Sequence, residues 1–379
     1  MAEQLVERGF GVGGSERHPS WLELFFDLVF VAAVAALGTQ LHGDHSLPGL
    51  VVFAGLFVPV WWAWRGFAWY ASGFDTDDRT FRAALLAGMV GVAALSAGVH
   101  GAARGDSAQF VIAYASLLLI LAALYAGVCW RRPAARALAA WQVLGYGVGA
   151  ALWLVSLGLD ESVRPVLWAM AMLVLMVAPL IVLWQPARAF DAGHIAERYG
   201  LFTIIVLGEA VVRTIEGLHI HGSTAAAAVA LCGFVIAATM WWVYFARYRS
   251  MPSGGPVSRF GWAQVHLLIF VGIVAAGVGV QLGIEAAAAA RTMLLVDRLP
   301  LGVGVAGYLI GMGTIRALTR RLDQVAVVRL VSAGAVLLIA LAGFGLVPLA
   351  FVAVIAGLLL VEALIELTRA PAHPGEASA

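Results

Sequence analysis

The sequence predicts an all-α polytopic integral membrane protein, with about twelve transmembrane helices in two six-helix repeats. Three observations carry this. The 379-residue chain is 62% hydrophobic and 12% charged, about half the charge of a soluble domain. Its apolar residues fall in blocks of about 20, the length a helix needs to cross a hydrocarbon core about 30 Å thick. Its two halves also echo each other at a nearly constant offset of 176–181 residues.

In order, the blocks place spans at 21–40, 49–70, 81–101, 108–130, 138–158, 164–185, 198–216, 223–247, 260–285, 300–319, 326–344 and 346–366. Residues 1–20 mix Glu3, Glu7 and Glu16 with Arg8 and Arg17. They read as a cytoplasmic lead-in before an uncleaved first span, not as a signal peptide. Residues 367–379 read as a short polar cytoplasmic tail. The seventh span is the most polar, and the last two are separated by a tight turn near Gly345.

All 23 basic residues are arginine, and the net charge is +1. No basic domain suggests a nucleic-acid partner. On the predicted topology, 17 arginines lie on the side that holds both termini and 5 on the other, with Arg65 inside span 2. The positive-inside rule then makes both termini cytoplasmic. Cys129 and Cys232 sit in or beside different apolar blocks and offer no metal-ligand spacing. The sequence predicts no cofactor, no metal site and no catalytic residue, and no nucleophile elbow, zincin or phosphate-loop motif stands in the right context.

The repeats are 21–185 and 198–366. Trp61-Trp62 near the end of span 2 matches Trp241-Trp242 in span 8, and residues 85–99 match 266–280. An even number of spans per repeat relates the halves by an axis along the membrane normal. On this alignment Asp27 corresponds to Thr203 and Arg65 to Phe245. Gly145/Gly149, Gly279/Gly283 and Gly307/Gly311 are spaced for close helix packing within the bundle.

Charges inside spans are functional candidates by default. Glu23 and Asp27 share one face of span 1. Asp27 lies about 9 Å into its helix, and Arg65 about 7–8 Å from the end of span 2. The matching depths predict an Asp27–Arg65 ion pair, which either serves a path or fixes helix register. In span 7, Glu209 lies about 17 Å from Arg198 along the axis, near mid-membrane, with Arg213 and Glu216 on the same face. Glu209 is read equally as a proton or cation carrier and as a static partner of Arg213. His266 in span 9 is a relay candidate, with hydrogen-bonded packing the commoner role. The run His42-Gly-Asp44-His45 reads as a polar turn, and His194–Glu197 lacks a third metal ligand.

Glu23-Leu-Phe-Phe-Asp27-Leu-Val-Phe-Val31 and Glu197-Arg-Tyr-Gly-Leu-Phe-Thr-Ile-Ile-Val-Leu-Gly-Glu209 resemble the bacterial low temperature requirement protein A (LtrA) family. The resemblance covers nearly the whole chain. It implies a multi-pass bacterial membrane protein, and it brings no molecular activity with it. The motif positions it carries over are Glu23, Phe25, Asp27, Glu197, Arg198, Gly200, Phe202, Gly208 and Glu209. The expected function is a transporter or channel for a proton, cation or small solute, with Glu23, Asp27, Arg65, Glu209, Arg213 and His266 along its path. The alternatives are a non-transporting scaffold, a lipid-interacting stress-adaptation protein, or an intramembrane enzyme. The lipid bilayer is the expected partner.

Overall fold

The computed structural model describes residues 18–74, 78–182, 191–220, 222–246, 251–252, 255–320 and 323–368. The N-terminal lead-in before residue 18 and the tail after 368 lie outside them. Among the described residues the chain forms twelve α-helices and one short 3₁₀ turn, with no strand. The helices are α1 (Trp21–Gly43), α2 (Leu47–Phe74), α3 (Arg79–Ala103), α4 (Ala108–Arg131), α5 (Arg136–Ser156), α6 (Arg164–Val182), α7 (Ala192–Ile220), α8 (Thr224–Phe245), α9 (Pro256–Ala288), α10 (Leu295–Arg320), α11 (Gln324–Ala342) and α12 (Pro348–Thr368).

The chain is an all-α polytopic membrane protein, and each expected span has a helix. Ten helices are long and apolar enough to cross a membrane. The other two differ for separate reasons. The apolar stretch of α6 runs only from Arg164 to Leu180. Helix α7 has ample length, but it carries Glu197, Arg198, Glu209, Arg213 and Glu216. A helix so charged is stable in an apolar medium only where protein groups satisfy those charges.

Local sequence explains the helix ends. Asp78 and Asp323 cap α3 and α11 by accepting from the Phe81 and Ala326 N–H groups, at 2.8 and 3.0 Å. Ser223 caps α8 through the Ala226 N–H. Such caps satisfy N–H groups that a helix start leaves open. The turn between α11 and α12 passes through Gly345 at φ +83°, where a side chain would be strained.

The chain divides into two compact units. The first holds the described residues within Met1–Gly43, Val51–Ile205 and Ser250–Phe260. The second holds Asp44–Leu50, Val206–Arg249 and Gly261–Ala379. The division falls inside α7, after Ile205. In the first unit α1 packs on α3, α3 on α4, α4 on α5 and α5 on α6. Its core is aromatic, with Trp61, Trp62, Trp64, Trp153, Tyr114 and Tyr125 almost fully buried. In the second unit α10 packs on α11, α11 on α12 and α12 on α8.

The expected glycine contacts sit between helices. A Cβ on Gly145 would lie 2.6 Å from the Ala178 Cβ, drawing α5 onto α6. Between α9 and α10 the approach is backbone to backbone. A Cβ on Gly272 would meet the Gly304 carbonyl oxygen at 2.6 Å, and one on Gly304 would meet the Gly272 carbonyl at the same distance. Backbone cannot swing aside as a side chain can. Gly304→Val is therefore expected to cost at least the roughly 1–3 kcal/mol of an overpacked core. Gly334→Val is the control, because an added Cβ there meets nothing within 4 Å. Thermal unfolding in detergent checks this, and equal melting temperatures for the two variants would refute it.

Candidate functional site: a buried charge cluster on α1, α2 and α7

The site begins with the cap of α1. Ser20 and Glu23 form a reciprocal capping box. Ser20 Oγ accepts from the Glu23 N–H at 3.3 Å, and Glu23 Oε1 accepts from the Ser20 N–H at 3.4 Å and its hydroxyl at 3.1 Å. This occupies Oε1 and leaves Oε2 facing inward. One turn on, Asp27 is fully buried. Its Oδ1 accepts from the Trp64 indole N–H at 2.7 Å and from Arg198 Nη2 at 2.5 Å, and its Oδ2 from Arg198 Nε at 2.9 Å. Arg198 Nη1 donates to Glu23 Oε2. One guanidinium thus holds both carboxylates, bidentate on Asp27, the geometry in which arginine binds an acid best.

His194 lies one turn before Arg198 on α7. Its Nδ1 is 2.7 Å from Ser72 Oγ, and its Nε2 is 3.4 Å from Glu23 Oε2. Ser72 Oγ donates to the Ala68 carbonyl at 2.8 Å. Asp191 starts α7 by accepting from the Gly193 and His194 N–H groups, at 2.9 and 3.1 Å. Phe202 stacks on Trp64 at 4.3 Å, and Tyr199 meets the same ring edge-on at 5.0 Å. Glu23, Asp27, His194 and Arg198 are each 0–1% exposed.

The expected Asp27–Arg65 ion pair does not form. The matching depths were sound, but depth fixes only the position along a helix and not the direction around it. Successive residues point about 100° apart at 3.6 per turn. Trp64 therefore faces Asp27, and Arg65 turns away from it. The Arg65 guanidinium lies over Trp62 at 4.7 Å, Trp69 at 4.8 Å and Phe260 at 5.8 Å. The Trp69 indole in turn donates to the Tyr199 hydroxyl at 3.2 Å. Among the described residues this is a cation–π setting for a cation without a carboxylate.

The remaining candidates lie in the second unit. Glu209 Oε1 accepts from Arg213 Nε at 2.9 Å, and both side chains are buried. Arg213 also reaches the half-exposed Glu216 at 3.5 Å. A crevice of about 250 Å³ on this helix is lined by Val212, Ile215, Glu216 and His219. His266 is fully buried, with Nδ1 2.8 Å from the Trp262 carbonyl and Nε2 3.1 Å from the Tyr244 hydroxyl. A neutral ring meets both contacts, which is the packing role. In the His42–His45 run, Asp44 accepts from the Ser46 N–H and hydroxyl, at 3.2 and 2.6 Å. His45 lies 3.1 Å from Asp297.

The family-motif positions divide by direction. Glu23, Asp27, Arg198, Gly200 and Phe202 are buried in the first unit, and Glu209 is buried in the second. Phe25, Glu197 and Gly208 are exposed, and Glu197 meets His18 at 3.3 Å.

Two features were missed in the sequence. Trp64 is the neutral donor to Asp27, and only the angular position of α2 reveals it. The second is an ion network on α10, α11 and α12. Arg329 donates to Glu366 at 2.5 Å and to the Met312 carbonyl at 3.2 Å. Arg316 bridges Asp323, at 2.7 and 2.8 Å, and Glu366, at 3.4 Å. Ser332 meets Glu362 at 2.5 Å. The signal was present in Glu362 and Glu366, one turn apart near the end of an otherwise apolar helix.

Two predictions follow from these partners. Arg198→Gln strands two buried carboxylates and should cost about 3–5 kcal/mol. Arg65→Gln removes a cation from aromatic faces and should cost about 0.5–2 kcal/mol. Thermal unfolding in detergent ranks the pair, and the reverse order would restore Arg65 as the partner of the acids. In the network, Asp323 lies outside the spans, and its carboxyl is held down at about 2, chiefly by the hydrogen bond from Arg316. A lowered pKa contributes stability above the unfolded value of 3.8, lost as pH falls through about 2. The stability difference between wild type and Asp323→Asn should therefore persist at pH 5 and close by about pH 2. A constant difference across that range would refute the assignment.

The chain matches the family described as bacterial low temperature requirement A protein (LtrA) over residues 18–364. It is 29% identical over 303 residues to an uncharacterised protein of Rhizobium meliloti (strain 1021), covering 70% of this chain and 72% of the relative. No solved structure matches it.

Proposed function

The chain belongs to the bacterial low temperature requirement A family, and from that premise we propose that it is a proton-linked membrane transporter for a cation or small solute. The observation that carries this is the contact between His194 and Glu23. With its hydroxyl proton on the Ala68 carbonyl, Ser72 accepts from His194 Nδ1–H. A neutral ring then turns the Nε2 lone pair toward Glu23 Oε2 at 3.4 Å. Two lone pairs facing each other in a dry site repel, and one proton between them makes the contact attractive.

Charge supports the same reading. Glu23 and Asp27 carry two negative charges against the one positive charge of Arg198, and a proton on the His194–Glu23 pair makes the four side chains neutral. Asp27, held by three donors, is the fixed member. Glu23, divided between a helix cap and the cluster interior, is the exchanging one. Arg65, in the same unit, serves as a support of the path.

In this reading the protein lies in the bacterial inner membrane with both termini cytoplasmic, as the arginine distribution supports. Its helices form two repeats, 21–185 and 198–366. A second reading, a non-transporting scaffold, is favoured by one observation: Asp27 and Glu209 both sit in close ion pairs.

The test is flux in proteoliposomes, with an internal pH dye and a panel of cations and small solutes. Wild type should carry flux above empty liposomes. Glu23→Gln and His194→Gln should each lower it about a hundredfold or more, the range one positioned proton-transfer group contributes, with melting temperatures near wild type. Glu216→Gln, at a half-exposed side chain, should leave it unchanged. No flux from any of these proteins across the panel would leave the scaffold reading standing.

A further inference from the structure

In the first unit, where the end of α2 meets the start of α3 and about the last three turns of α4, a crevice of about 370 Å³ opens to the surface. This is within the roughly 300–1,000 Å³ range of small-molecule sites. Its floor and walls are apolar: Tyr70, Phe74, Phe81, Ile120, Leu124 and Val128. Ala87 and Gly127 keep the trough open, and a Cβ on Gly127 would meet nothing within 4 Å. One end is polar, with Thr80, Asp78, Arg131 and Arg132.

We infer that this crevice is a binding site for an anionic phospholipid, with an acyl chain along the apolar trough and the phosphate at Arg131 and Arg132. The inference is independent of the transport reading. The trough lies between membrane-spanning helices, so the apolar molecule that reaches it is lipid. The charge at its mouth complements an anion. Among the described residues lining it, two arginines face one acid, and the Asp78 carboxylate already accepts from the Phe81 N–H at 2.8 Å.

The arginines divide the work. Arg132 is tied down, with Nη2 donating to the Phe74 carbonyl at 2.8 Å and its guanidinium 5.8 Å from the Phe74 ring. Arg131 is mostly exposed and, among the described residues, makes only a 3.5 Å contact with Asp78. It is thus free to swing onto a phosphate, with the Thr80 hydroxyl as a further donor. Trp130, the residue before it, is 88% exposed. An exposed tryptophan at a span end marks the headgroup level. Basic pockets between helices at that level bind anionic headgroups, each arginine contributing roughly a fivefold gain in affinity.

The test uses full-length protein in detergent. Native mass spectrometry counts bound lipid during titration with phosphatidylglycerol or phosphatidylcholine of identical chains. Wild type should retain phosphatidylglycerol in preference, and its melting temperature should rise with that lipid. Arg131→Gln should weaken phosphatidylglycerol binding about fivefold and bring it close to that of phosphatidylcholine. Gly127→Leu fills the trough without changing charge and should weaken both lipids. Each variant's melting temperature without lipid should stay near wild type. Equal retention of the two lipids by wild type overturns the proposal. So does undiminished phosphatidylglycerol binding in both variants, or displacement of the lipid by excess inorganic phosphate alone, which would make this a free-anion site.

Discussion

The arrangement of the first unit depends on one guanidinium. Arg198 meets Asp27 through two nitrogens and Glu23 through a third, in a place where none of the three touches solvent. Stripping water from such groups is expensive, and the mutual attraction compensates only when geometry is close and the remaining valences are filled. Here they are filled by a tryptophan indole, a serine cap and a histidine. α1 and α7, 171 residues apart at the Asp27–Arg198 contact, are thereby locked in register. The aromatic stack of Trp64 on Phe202 seals the cluster on the α2 side.

A different principle governs the second unit. Besides the Glu209–Arg213 pair inside α7, its ion network forms at helix ends, where Arg316, Asp323, Arg329 and Glu366 join α10, α11 and α12. Arginine suits both settings, because its planar fork keeps its charge when buried and donates in several directions at once. A chain that uses arginine for all 23 of its basic residues can keep such contacts inside an apolar bundle.

Much of this was legible in the sequence, and what was lost is one kind of information. Block length and hydropathy placed every helix, because the thickness of the bilayer sets them. The depth of a charge along its helix also follows from residue counting. The direction a side chain takes around its helix does not, since it depends on which neighbour the helix meets. That is why Arg65 was matched to Asp27 by depth while the acid faced Trp64 and Arg198. The motif containing Arg198 was visible, but nothing local ties residue 198 to residue 27. His266 was easier, because a lone histidine among Trp262, Phe270 and Tyr244 has its partners within a turn or on the preceding helix.

The contact between Gly272 and Gly304 has a mechanical consequence. At this crossing the two helices touch through their backbones, with no side-chain layer between them to act as a lubricant. Sliding or rolling α9 against α10 would drive carbonyl oxygens into the opposing main chain, so the pair moves as one strut. Any working motion of the second unit must then be taken up at its other joints.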